Sequence, residues 1–498
     1  MAKYIIGIDQ STQGTKALLF DEEGMLLQRT DLPHKQIVND KGWVSHDPME
    51  IYRNTIEVVK NLVEETKIDK NEIVGVGISN QRETSLVWDK ETGESIDSAI
   101  VWQCSRATEI CERVERLGKA ELIRQKTGMN LSPYFPASKL AWLLENIERT
   151  KKGTETDKLC FGTIDSWLIY KLTNGLSYKT DYSNASRTQL FNIIELKWDE
   201  EICGIFGINP KNLAEVCDSN ANFGETDFEG FLDKCIPIHS VMGDSHGALF
   251  GQGCLERGTI KTTYGTGSSI MMNIGENPAL STHGVVTSLA WGMSGKINYV
   301  LEGNINYTGA VITWLKDNLE LIISPKETEQ AALEANQDDQ VYLIPAFTGL
   351  GAPYWDSKAT AAITGITRTT GKVEIIRAGL ECIAYQISDV VKAMSEDAGI
   401  TVKELRVDGG PTKNKYLMQF QSDILNITVQ VPDTEELSGI GVAYAAGLAL
   451  GVYDNTIFNR IKKSEFRSKM DDNCRNKKYQ GWLAAVKSVL LKNNINKM

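Results

Sequence analysis

Apolar residues come in short runs separated by polar, glycine-bearing turns. Tyr4 to Ile8 predicts a strand, Asp9 to Lys16 a polar turn, and Ala17 to Phe20 a second strand that stops at Asp21-Glu22-Glu23-Gly24. This is the pattern of a β-hairpin with an unusually polar tip. It recurs downstream as Gly258 to Thr263, a Tyr264-to-Ser269 turn, and Ile270 to Asn273. Two such hairpins, about half the chain apart, predict two related halves.

Between the hairpins the spacing predicts helices over Pro48 to Glu65 and Ser138 to Glu148, and strands over Ile73 to Ile78, Ala99 to Trp102 and Ile236 to Met242. The second half repeats the texture, with a strand over Gln340 to Pro345, a helix over Val373 to Glu396, a strand over Glu404 to Val407 and a buried helix over Ser438 to Leu450. This alternation predicts α/β architecture with largely parallel central sheets. The uncharged stretch Ser438 to Tyr453 falls short of the roughly 20 residues that span a bilayer, and its Ala and Gly content predicts a helix held tightly against a neighbour. The expected division is residues 1–254, 255–460 and a tail, 461–498. In the tail, the spacing of Trp482, Val486, Val489 and Leu490 predicts an amphipathic docking helix.

Composition narrows the class. The 498 residues are 42% hydrophobic and 24% charged, which is ordinary globular usage. Lys plus Arg number 53 against 65 Asp plus Glu, and the net charge of −12 argues against a nucleic-acid partner. The nine cysteines include no CxxC pair, which points away from a zinc ribbon and towards reduced thiols. The apolar run in MAKYIIGIDQ is too short for a signal peptide, so a cytoplasmic protein with no membrane partner is expected.

Three polar loops each follow an apolar strand: Asp9 to Lys16, Tyr264 to Ser269, and Asp408-Gly409-Gly410-Pro411-Thr412-Lys413-Asn414. Glycines let a backbone approach an anion, hydroxyls and N–H groups donate to phosphate oxygens, and an Asp at a strand end can hold hydrated Mg2+. Any one of these loops alone is more often just a turn. Three of them spread over both halves point to a nucleotide bound between the halves. The better-known nucleotide motifs fail: Gly371-Lys372 is followed by Val373 where a P-loop needs Ser or Thr, and Ile270 stands where GxGxxG needs its third glycine.

A second set of polar residues sits at strand ends: Asn80-Gln81-Arg82-Glu83-Thr84, Trp102-Gln103 and Gly243-Asp244-Ser245-His246-Gly247. Ligands of α/β sheets bind at such ends. Carboxylates, a guanidinium and an aromatic wall suit a small polyhydroxylated molecule. The plainer alternative makes Arg82 and Glu83 an ion pair and Asp244 a helix cap.

The residues resemble the FGGY carbohydrate kinases, and among them the glycerol kinases. The stretches that carry this are GWVSHDPMEIY (Gly42 to Tyr52), SNQRETSLVWDKETG (Ser79 to Gly93), AIVWQCSR (Ala99 to Arg106), DYSNASRTQLFNI (Asp181 to Ile193), YGTG (Tyr264 to Gly267) and IPAFTGLGAPYWD (Ile344 to Asp356). Tyr134 to Asn146 matches one family signature, and Ala361 to Glu381 matches the other except at Gly379.

The resemblance implies an actin/hexokinase-like fold of two ribonuclease-H-like domains around a cleft, ATP and Mg2+ as cofactors, and a homo-oligomer. It places Thr12, Gln13, Gly14 and Lys16 near the phosphates, and Thr266, Gly309, Thr313, Gly410 and Asn414 on the nucleotide. Asp9 and Asp244 fall near Mg2+. Arg82, Glu83, Trp102, Tyr134, Asp244 and Ser245 line a polyol site, with Asp244 the base that accepts the hydroxyl proton. The implied reaction is transfer from ATP to a terminal hydroxyl of a small polyol, glycerol first.

Two departures bear on this. Glycerol kinases usually carry Gln where Ser245 stands and Phe where Ser269 stands, so a roomier, more polar pocket for a four- or five-carbon polyol or ketose is the alternative. A chaperone- or actin-like ATPase shares the implied fold but has no need of the polyol residues.

Overall fold

Two mixed β-sheets carry the chain in the computed structural model, which describes residues 2–147 and 158–495. The first takes β1 (Tyr4–Gln10), β2 (Gly14–Phe20), β3 (Leu26–Pro33), β4 (Ile73–Asn80), β5 (Asn222–Thr226) and β6 (Ile236–Gly243), in the order β5-β6-β4-β1-β2-β3. The second takes β7 (Ile260–Tyr264), β8 (Ser268–Gly275), β9 (Val286–Met293), β10 (Lys296–Ile305), β11 (Glu404–Asp408), β12 (Thr428–Pro432) and β13 (Lys463–Phe466), in the order β9-β10-β8-β7-β11-β12-β13.

The sheets share a plan. Three strands paired antiparallel, β1-β2-β3 or β7-β8-β10, are extended by two parallel strands, β4 and β6 or β11 and β12. An antiparallel strand, β5 or β13, closes the far edge. The expectation of largely parallel sheets is corrected on this point: strands joined by turns of a few residues can pair only antiparallel. β13 lies within the segment expected as the tail.

The hairpin turns are tighter than the sequence pattern predicts. Asp9 pairs with Lys16 and Gln10 with Thr15, leaving a turn of Ser11 to Gln13. Two predicted strands shorten, to Ala99–Ile100 and Tyr342–Ile344. The backbone N–H of Trp102 donates instead to Thr84 Oγ1 (3.3 Å), and Pro345 has no N–H to give a ladder.

The helices that matter to the site are α1 (Pro48–Thr66), α2 (Pro136–Asn146), α3 (Asp244–Gly251), α4 (Gly309–Asp317), α5 (Lys372–Ala398), α6 (Lys415–Leu425), α7 (Leu437–Ala449) and α8 (Asp472–Ile495). Glu148, the last residue of one predicted helix, lies outside the described residues. α1 starts on Pro48 behind Asp47, whose side chain accepts from Met49 N.

α3 follows β6 and α7 follows β12, the same place in each half, and these two helices pack on each other. A Cβ on Gly441 would stand 1.9 Å from Gly247 O, and one on Gly251 would stand 2.3 Å from Leu437 O. α7 also lies on the first sheet, where a Cβ on Gly77 would meet Val442 O at 2.3 Å. Residues without side chains allow this approach, so the halves are joined at backbone distance.

On α8, Trp482 is fully buried, stacks on Tyr385 of α5 at 5.2 Å, and donates to Asp389 (2.8 Å). Among the described residues, no helix is long and apolar enough to cross a membrane.

Candidate active site

Each half contributes one wall. The second half supplies a cavity of about 550 Å³ where five chain segments meet, lined by Thr266, Gly309, Thr313, Gly410, Asn414 and apolar residues that include Leu380 and Ile383. The β7–β8 turn is closed by Gly265 N donating to Gly267 O (2.8 Å). Backbone N–H groups at the start of α4 then clamp it, Gly309 to Gly265 O (3.0 Å) and Ala310 to Thr266 O (3.1 Å).

The two glycines after Asp408 do different jobs. Gly409 has φ +98, and a Cβ there would lie 2.0 Å from Tyr264 O, so the fold requires it. A Cβ on Gly410 would meet nothing within 4 Å, so the protein's own packing does not. Asn414 caps α6 by accepting from Leu417 N (2.9 Å), and its amide donates to Thr328 Oγ1 (3.0 Å).

The first half supplies the polar wall. Arg82 and Glu83 follow β4, and Glu83 holds a left-handed backbone, φ 60, of the kind found at functional sites. They do not pair with each other; each pairs instead with a residue farther along the chain. The Arg82 guanidinium forks onto Glu302 of β10 (2.8 and 3.0 Å) and reaches Asp244 Oδ1 through Nε (3.2 Å). Glu83 accepts from Arg187 Nε (2.6 Å), and Arg187 lies 3.1 Å from Glu302. Burial alone would raise the Glu302 carboxyl, yet Arg187 and Arg82 hold it well below the usual carboxylate range. A carboxylate of the second half thus fixes two guanidinium groups of the first.

Trp102 and Tyr134 face each other with ring centroids 5.5 Å apart, and Trp102 Nε1 donates to Thr12 Oγ1 (2.9 Å), tying this wall to the β1–β2 turn. The buried Lys139 of α2 donates to the Tyr134 carbonyl, and burial lowers its ammonium to about 7. Asp244 opens α3 and keeps 35% of its side chain exposed, while Ser245 N donates to its Oδ1 (2.6 Å).

Beside it, the Asp9 carboxyl is pushed up to about 6, chiefly by burial and further by the charge of Asp244, against the pull of Lys16. Lys16 Nζ lies 3.7 Å from Asp9 and 2.9 Å from Glu436, which also binds Arg29. Thr12, Gln13 and Gly14 form or flank the β1–β2 turn. The carboxyl groups of Asp9 and Asp244 fit Mg2+, which takes one or two carboxylates and completes its shell with water and phosphate oxygens. Among the described residues, no group of three or more His, Cys, Asp or Glu is arranged around a metal position.

Two family models divide the chain. The N-terminal domain of the FGGY family of carbohydrate kinases matches residues 4–251, and the C-terminal domain matches residues 260–450. The chain belongs to the FGGY family.

Among FGGY kinases, this chain is 48% identical over 490 residues to "Glycerol kinase 1" of Thermotoga maritima, covering 98% of this chain and 99% of that one. It is 46% identical over 491 residues to "Glycerol kinase" of Staphylococcus epidermidis, covering 98% of each. The crystal structure of Plasmodium falciparum glycerol kinase with ADP superposes with a TM-score of 0.93 at 37% identity, covering 98% of each chain. The chain is therefore a phosphotransferase of this family, with the actin/hexokinase-like two-domain fold.

Sequence reasoning missed Glu302 and Arg187 as members of the site. The available signal was a lone acid within the apolar run Tyr299-Val300-Leu301-Glu302.

Proposed function

We propose that this FGGY kinase transfers the γ-phosphoryl group of ATP to a terminal hydroxyl of a small polyol, with glycerol as acceptor and glycerol 3-phosphate as product. The observation that carries the reading is the position of Asp244, half-buried at the start of α3, bonded to Arg82 on the polar wall and electrostatically coupled to Asp9 beside the hairpin. The identities to glycerol kinases over nearly the full chain support it.

In this reading Arg82 and Glu83 hold two acceptor hydroxyls, with Ser245 alongside, and Trp102 and Tyr134 cover the carbon face. The third hydroxyl loses its proton to the Asp244 carboxylate as its oxygen attacks the γ-phosphorus, and ADP leaves. ATP lies with its nucleoside in the cavity of Thr266, Gly309, Thr313, Gly410 and Asn414, and its phosphates point to Thr12, Gln13, Gly14 and Lys16. Asp9 and Asp244 would hold Mg2+, which neutralises phosphate charge when bound. Little beyond alignment and charge neutralisation is needed for phosphoryl transfer.

The test is ADP release by the purified protein with ATP and Mg2+, with and without glycerol. Release that depends on glycerol supports the reading. Release at one rate regardless of any polyol favours the ATPase alternative.

A further inference from the structure

A lysine carries its charge on a flexible four-carbon stem, so a lysine that must meet a phosphate at one place needs something to hold it there. Lys16 is such a residue, with a side chain 28% exposed on β2. Its holder comes from the other half. Glu436 Oε2 accepts from Lys16 Nζ (2.9 Å), and Glu436 Oε1 accepts from Arg29 of β3. The Glu436 side chain is only 9% exposed, and both of its oxygens are engaged.

Glu436 lies between β12 and α7, and the packing of α7 fixes it. The first turn of that helix presses on the hairpin that carries Lys16. A Cβ on Gly7 of β1 would stand 2.6 Å from Gly439 O, and one on Gly439 would stand 2.2 Å from Leu18 Cδ1 and 3.7 Å from Asp9 Cβ. Glu436 is three residues before Gly439, so its carboxylate stays in place unless the helix leaves β1 and β2. The neighbouring Glu435 pairs with Lys413, which lines the nucleotide cavity (2.8 Å). One short segment thus touches the phosphate turn and the cavity together.

Charge decides the direction of the effect. A bare carboxylate beside a triphosphate would repel it, but Arg29 balances Glu436, and the Lys16 charge is left for an anion. An ammonium has three N–H groups, and one of them goes to Glu436. We propose that Glu436 is a positioning residue: acting through Lys16, it aims the ammonium at the terminal phosphates of bound ATP. The join between the halves then also sets the alignment of the phosphates. This rests on the kinase reading above and adds to its machinery a residue that touches neither substrate.

The experiment titrates ATP and AMP into wild-type protein, Glu436→Ala, Glu436→Gln, Lys16→Met and the double variant Lys16→Met with Glu436→Ala. It also measures kcat and KM for ATP with glycerol as acceptor. Glu436→Ala should weaken ATP binding and lower kcat/KM for ATP by about 10- to 100-fold, the size expected for a misplaced reacting group. Glu436→Gln keeps an amide oxygen that accepts from Lys16, so it should lose less. AMP lacks the terminal phosphates and should bind each variant as it binds the wild type, which also reports that the variant is folded. In the Lys16→Met background, Glu436→Ala should weaken ATP no further. Equal losses for ATP and AMP would make the pair a structural tie and overturn the proposal. So would unchanged ATP binding in Glu436→Ala, or a further loss of ATP on top of Lys16→Met. The titrations need no acceptor, so wild-type protein that binds ATP without glycerol-dependent ADP release overturns the kinase reading alone.

Discussion

The Arg82 cluster and the Gly410 cavity are built by opposite means. The first is a closed set of charges from both halves: Arg82, Arg187, Glu83 and Glu302 are all buried, and each ion is fixed by another. The second is an open pocket in one half, lined by glycine backbone, hydroxyls, apolar side chains, an amide that also caps a helix and, among them, Lys326, Glu329 and Lys413. A small polyol offers only hydroxyls, so its site must hold its polar groups rigid in advance. A nucleotide brings its own charge and area, so its site needs space and N–H groups more than ions.

Breaking each wall separately should show this difference. The largest expected effect is at Asp244→Asn, which removes the base: acceptor-dependent ADP release should fall by roughly 10²–10⁴-fold with nucleotide affinity little changed, measured by steady-state kinetics beside nucleotide titration. Retained turnover would remove Asp244 from that role.

Next is Glu302→Ala, which leaves Arg82 and Arg187 buried with one carboxylate fewer. Loss of one partner of a buried ion pair costs about 3–5 kcal/mol, so the denaturant midpoint should drop and KM for the acceptor should rise, while nucleotide affinity changes little. An unchanged midpoint would mean the network contributes nothing to the join between halves.

The reverse experiment is Gly410→Leu. The backbone there has open space, so stability should hold while KM for ATP rises by about 10- to 100-fold, as an obstruction worth 1–3 kcal/mol would produce. Loss of stability instead would show that Gly410 serves the fold, as Gly409 does.

The smallest effect is acid sensitivity. His34 packs behind the β1–β2 turn, its backbone N–H donating to Gln13 O (3.1 Å), and burial lowers its imidazole to about 4. An unfolded histidine takes up its proton near 6.5, so the unfolded state binds more protons between 6.5 and about 4. The stability contribution is full above 6.5 and is lost as pH falls towards 4. His34→Gln should flatten that limb of a stability–pH curve, and an identical slope would contradict the assignment.

Much of both walls was legible in local sequence. The strand–loop units around Asp9, Tyr264 and Asp408 and the polar residues after β4 and β6 are marked by apolar runs that end in glycine, Asp or Arg. What was not legible is pairing across the chain. Glu302 meets Arg82 from 220 positions away, and Lys16 is held by Glu436 from 420 away. No local pattern encodes such a meeting, because it is made only when α3 and α7 bring the halves together. The sheets read as parallel for a related reason: alternating strands and helices outnumber the hairpins along the chain, yet antiparallel pairs outnumber parallel ones in each sheet.

The most direct measurement of the central claim is phosphorus NMR of the reaction of wild-type protein, ATP, Mg2+ and polyol. The account predicts one phosphate ester on a primary carbon of the acceptor for each ADP formed. Inorganic phosphate appearing with ADP, and no ester, would contradict it.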